Sequence, residues 1–111
     1  MDKLTLYRSL IQDILRDRAY LPLGDTEVEA QTIFDTDNDH YQLVHTGWQD
    51  DNRLYGCVVH VDIKNGKFWI QYDGTEVGIA NELVAQGVPK GDIVLAFHAP
   101  YKRPYTDFAV H

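Results

Sequence analysis

The chain has 111 residues, 44% of them hydrophobic, which suits one ordinary domain (1–111) able to bury its apolar side chains around a single core. The formal net charge is −7, and the stretch from Ala19 to Asn52 has no lysine or arginine while Asp25, Glu27, Glu29, Asp35, Asp37, Asp39, Asp50 and Asp51 all fall in it, a field that repels a phosphate backbone. The lone Cys57 excludes an internal disulfide, and a charged N-terminus with no run approaching the roughly 20 apolar residues of a membrane span leads us to expect a cytoplasmic protein.

The first eighteen residues read as an amphipathic helix. Asp2 caps it, and Leu4, Tyr7, Ile11 and Ile14 recur with Leu10 and Leu15 at three- and four-residue steps. Arg8, Asp13, Arg16, Asp17 and Arg18 take the opposite side, and Leu21-Pro-Leu-Gly24 ends the helix.

From Val28 to Asp73 the period becomes two, giving strands at 29–34, 41–48, 53–63 and 67–73. Lys64-Asn-Gly-Lys67 is a two-residue hairpin turn, since Asn65 and Gly66 both accept positive φ. It predicts Ile63 opposite Phe68, Val61 opposite Ile70 and Val59 opposite Tyr72. A two-residue turn within Asp50-Asp-Asn-Arg53 sets Trp48 opposite Tyr55 and Val44 opposite Val59 on the same core face. Leu43, Leu54, Val58 and Trp69 then fall on the far face, giving it more apolar area than a solvated face carries. Its expected cover is the C-terminal segment, a second copy of the chain or another protein.

The stretch FDTDNDHY (34–41) spaces its acids like the start of a calcium loop, but the sixth position is His40 where glycine is needed and the twelfth is Thr46 where glutamate is needed. It reads instead as a hairpin tip. Beyond Gly74, with Thr75 as a candidate cap, Ile79, Leu83 and Val84 mark a short helix ended by Gly87. Asp92 to Phe97 is a short fifth strand, and Ala99 to Tyr105 an irregular tail anchored by Phe108. The expected fold class is α+β: an N-terminal helix packed on a four- to five-stranded antiparallel meander, with a second short helix and an irregular C-terminal tail.

No catalytic site emerges. Ser9 is the only serine, Cys57 in its apolar run reads as a small buried thiol, and 74–78 (GTEVG) lacks the lysine of a phosphate loop. His60 sits on the face away from the core, diagonal to His45 and two residues before Asp62, but no ligand-spacing motif accompanies them. No metal and no cofactor are assigned.

Residues 31–49 (QTIFDTDNDHYQLVHTGWQ), 55–77 (YGCVVHVDIKNGKFWIQYDGTEV) and 82–110 (ELVAQGVPKGDIVLAFHAPYKRPYTDFAV) closely resemble the XisI family, the fdxN element excision controlling factors of cyanobacteria. The resemblance implies an accessory protein, not an enzyme, that controls site-specific excision of a DNA element during heterocyst differentiation. It would act alongside a recombinase and an endonuclease-like companion, XisH.

Combined with the charge, this predicts a protein-interaction module whose acids Asp35, Asp37, Asp39, Asp50 and Asp51 face a basic partner, in the simplest form standing in for phosphates in a nuclease's DNA groove. The alternative is direct DNA binding through Tyr101, Lys102, Arg103 and Tyr105, where two cations provide little affinity.

Overall fold

The computed structural model of the chain describes residues 2–20 and 27–111. The expected helix stop at Leu21-Pro-Leu-Gly24 and the acid Asp25 lie outside them. Helix α1 (Lys3–Ala19) begins at Asp2, whose Oδ1 accepts the Thr5 amide at 2.8 Å. Its residues Tyr7, Ile11, Ile14 and Leu15, spaced by four, three and one, are buried as one stripe. Arg8 and Arg18, expected on a solvated side, are instead drawn inward by long-range partners: Arg8 by Asp39, and Arg18 by Glu82 at 3.0 Å.

The sheet consists of β1 (Glu27–Asp35), β2 (His40–Gln49), β3 (Asn52–Lys64), β4 (Lys67–Asp73) and β5 (Ile93–Leu95), in that spatial order. The first four form an antiparallel meander, as their short connections require. Helix α2 (Ile79–Ala85) then carries the chain back so that β5 runs parallel to β4, and the sheet is mixed at this one edge. The carboxylate of Asp73 at the end of β4 caps α2, accepting from the Ile79 amide at 2.7 Å, while Thr75 links Asp73 to Gly78 rather than capping directly. Both helices pack on one face, where Tyr7, Ile11 and Leu15 meet Tyr41, Leu43, Val59, Val61, Phe68, Ile70, Ile79 and Leu83. No helix among the described residues is long and apolar enough to cross a membrane.

Asn65 (φ 55°) and Gly66 (φ 75°) make the expected hairpin, and Ile63 opposes Phe68 and Val61 opposes Ile70. One residue further the ladder slips: His60 faces Tyr72 and Val59 faces Asp73, because β4 bulges at Gln71. A second slip lies between Leu43 and Val44, with Leu43 opposite Val59 and Val44 opposite Cys57, so that Val58 is the extra residue. The turn closing β2 and β3 is centred on Asp50 (φ 55°) and Asp51, one residue earlier than expected, which places Trp48 opposite Arg53 and Thr46 opposite Tyr55.

An inserted residue inverts which side chains point inward. Leu43 therefore belongs to the core and is 2% exposed, and Val58 is partly buried against it. Leu54 shares the core-side parity, whereas Trp48 and Tyr55 fall on the far face. Cys57 is exposed instead of buried for the same reason. Of the four apolar residues expected on the far face, Trp69 alone is there.

The chain's own C-terminal segment covers that part of the far face. Arg103 lies 5.7 Å from the Trp69 ring centre, its guanidinium donating to the carbonyls of His98 and Ala96. Ala109 then bridges Val94, its amide bonding the Ile93 carbonyl at 2.8 Å, and Phe108 is partly buried against the core as an anchor.

Candidate functional site

Residues directly opposed on neighbouring strands share a face. On the far face this sets Trp48 with Arg53, Thr46 with Tyr55, and Glu27 and Glu29 beside them on β1. The Arg53 guanidinium lies 5.4 Å from the Trp48 ring centre and 6.0 Å from that of Tyr55, holding the two aromatics as one cluster. Trp48 is 47% exposed and Tyr55 74%, and Tyr72 and Ile33 on the same face are each about half exposed. The tail that covers Trp69 does not reach them. Cys57 lies among them with its sulfur bonded to the Val59 carbonyl, and partial burial pushes its thiol above the ordinary range, so it is no activated nucleophile.

At the other end of this face β2 and β3 oppose His40 to Asp62 and Gln42 to His60. His40 Nδ1 and His60 Nε2 lie 2.7 and 2.8 Å from the same oxygen, Asp62 Oδ1. Gln71 donates to Asp62 Oδ2 at 3.1 Å, and the Gln42 amide reaches His60 Nδ1 at 3.4 Å. Burial acts to raise the Asp62 carboxyl, but the bonds from both imidazoles outweigh it and hold it below the usual carboxylate range. The same hydrogen bond raises the pKa of His40. His45, the expected companion of His60, opposes Gly56 on the core side because of the β3 bulge. His40 takes its place, and only the true register identifies it.

The predicted contact residues fall in three places. Asp35, Asp37 and Asp39 occupy the β1–β2 tip, and Asp50 and Asp51 the β2–β3 tip, separated by the ten residues of β2, roughly 30 Å. The acids do not form the continuous row that a phosphate mimic needs. Asp35 closes its own turn, accepting the Asp37 and Asn38 amides and the Asn38 side chain, which keep its carboxyl below the ordinary range. Asp39, at φ 60°, accepts from Arg8 and from the Tyr41 hydroxyl, and the Arg8 guanidinium lowers its pKa. Asp37, Asp50 and Asp51 remain exposed. Tyr101, Lys102 and Tyr105 project from a 3-10 turn (Pro100–Tyr105), the tyrosines 72% and 89% exposed, while Arg103 folds back onto Trp69. Simple alternation does not reveal the Trp48–Arg53–Tyr55 cluster, because it puts Trp48 and Tyr55 on the core face.

A family model described as XisI protein matches residues 1–110. Two solved structures are similar over almost the whole chain. A XisI-like protein from Anabaena variabilis is 48% identical with a TM-score of 0.90, the match covering 97% of this chain and 99% of that one. The fdxN element excision controlling factor XisI from the same organism is 38% identical with a TM-score of 0.82, covering 99% and 100%. No curated protein matches the chain.

Proposed function

The chain belongs to the XisI family, and on that premise we propose that it controls site-specific excision of a DNA element by binding another protein of the excision machinery, without catalysing a step itself. The open part of the far sheet face carries this reading. Trp48, Arg53 and Tyr55 are the residue types that dominate protein interfaces, and here they stand together, solvated, with Glu27 and Glu29 at their border. A partner with a basic rim around an apolar pocket fits this surface, and an endonuclease-like companion of the XisH kind is the simplest candidate, with the recombinase next. Asp50 and Asp51 at the adjoining tip extend the acidic border, and Asp37 adds charge at the opposite tip.

The alternative is direct contact of Tyr101, Lys102, Arg103 and Tyr105 with DNA. The two exposed tyrosines favour it. Against it, Arg103 is committed to the tail and Trp69, and other cations are paired internally: Lys3 with Asp92, Arg8 with Asp39, Arg18 with Glu82, and Lys67 with the His111 carbonyl. Of the two cations in this segment Lys102 alone is exposed, and a single cation adds little affinity for phosphates.

Co-purification of the tagged chain from a host that carries the companion and the recombinase separates the two. The expected result is a companion or recombinase retained by the wild type, lost from Trp48→Ala/Tyr55→Ala, and unaffected by Lys102→Ala/Arg103→Ala. Retention by the aromatic double variant overturns the assigned surface. Salt-sensitive binding of element-end DNA that is abolished by Lys102→Ala/Arg103→Ala overturns the protein-partner reading itself.

A further inference from the structure

The geometry points to a divalent transition-metal site on the far sheet face, with His40 Nδ1, His60 Nε2 and a carboxylate oxygen of Asp62 as its three protein ligands. This inference is independent of the excision reading. The three ligand atoms lie within 4.8 Å of one another, and both imidazole nitrogens already aim at one carboxylate oxygen. Ligands about 2.0–2.1 Å from a tetrahedral ion are separated by about 3.3 Å. Opening the nitrogen–oxygen distances of 2.7 and 2.8 Å by about half an ångström reaches that spacing for the carboxylate. The two imidazoles approach each other by side-chain rotation alone, since His40 is exposed and its backbone is fixed by the β2–β3 ladder.

The outer shell is in place for two of the three ligands. Gln71 holds the second oxygen of Asp62, which leaves Oδ1 directed at the histidines. Gln42, directly opposite His60, has its amide against the imidazole nitrogen that does not face Asp62. With that amide turned end for end, Oε1 accepts from Nδ1–H and fixes the tautomer in which Nε2 offers its lone pair to a metal. A His-His-carboxylate set with open positions suits Zn2+, Co2+ and Fe2+, while the two nitrogens argue against Ca2+ and Mg2+. Each imidazole must present a bare nitrogen to the ion, so metal binding competes with protonation and weakens as pH falls. The side of the site facing solvent, where the His40 side chain is 53% exposed, leaves room for water or an added ligand.

Calorimetric titration of the chelator-treated full chain with Zn2+ near neutral pH, with Co2+ absorption as a second readout, tests the site. We expect one ion per chain, a thermal midpoint that rises with Zn2+, and tetrahedral or five-coordinate Co2+ bands. His40→Ala, His60→Ala and Asp62→Asn should each weaken binding by about tenfold or more, and Gln42→Ala by about ten- to a hundredfold. His40→Ala, at an exposed position, retains the fold, and circular dichroism checks this. Absence of saturable one-to-one uptake overturns the proposal. So does uptake unchanged in folded His40→Ala and His60→Ala chains, which would place the ion on other histidines.

Discussion

Arg8 of α1 forks onto Asp39 at the tip of the β1–β2 hairpin, Nε to Oδ1 at 2.8 Å and Nη2 to Oδ2 at 3.0 Å. Asp39 also accepts the Tyr41 hydroxyl at 2.8 Å, and its own carbonyl receives the Ile63 amide, so one residue ties the helix, the first hairpin and β3. A two-pronged donor is essential to this arrangement. Arg8→Lys keeps the charge, loses one prong, and lowers the thermal midpoint by a few degrees in a melting experiment. A midpoint equal to wild type would show that the fork adds nothing beyond charge.

Gly47 permits the close approach of β1 to β2. A methyl group there would overlap the Glu27 carbonyl oxygen and lie 2.6 Å from Val28 Cα, both of them backbone that cannot swing aside. Gly47→Ala therefore destabilises by about 1–3 kcal/mol in urea unfolding. An unchanged midpoint would mean that the start of the β1–β2 ladder yields without cost.

The bulge at Val58 predicts a contrast that simple alternation reverses. Leu43→Ala removes a fully packed core side chain and costs about 2–5 kcal/mol. Tyr55→Ala, on the open face, alters unfolding by about 0.5 kcal/mol or less. Equal effects at the two positions would place the slip in β3 elsewhere.

Asp92 supplies the acid sensitivity of the α1–β5 contact. Burial acts to raise its carboxyl, but Lys3 at 2.9 Å and the Tyr7 hydroxyl at 2.5 Å outweigh burial and hold it below its ordinary 3.8. A depressed carboxyl contributes stability that is present above the unfolded value and lost as pH falls through the folded one. Wild type should accordingly lose more thermal stability than Asp92→Asn between about pH 5 and pH 2. Parallel losses would remove Asp92 from the account.

Local signals in the chain are legible and long-range ones are not. The α1 stripe, its Asp2 cap and the Asn65-Gly66 turn follow from residues within one or two turns of each other, and each is found. A bulge has no such mark. Val58 and Gln71 look like ordinary strand residues, yet each shifts the pairing beyond it, and alternation alone therefore puts Tyr55 and Cys57 on the wrong side and does not bring His40 beside His60. The parallel return of β5 and the inward reach of Arg8 depend on partners more than thirty residues away or on a crossover path, neither of which periodicity encodes. The XisI motifs identified the family without the register, but they did not indicate which face remains open.

Among the described residues, β1 has a neighbouring strand on one side only, so nine residues of backbone stand at the margin of the sheet. Such a rim is a template onto which another molecule's strand could zip, the usual first step toward fibrous aggregates. Glu27 and Glu29 stand exposed along it, and a second β1 laid antiparallel against the first would bring like charges into proximity. The acidity of this segment thus acts as a gatekeeper at the rim, keeping crowded copies of the chain apart whatever else they bind.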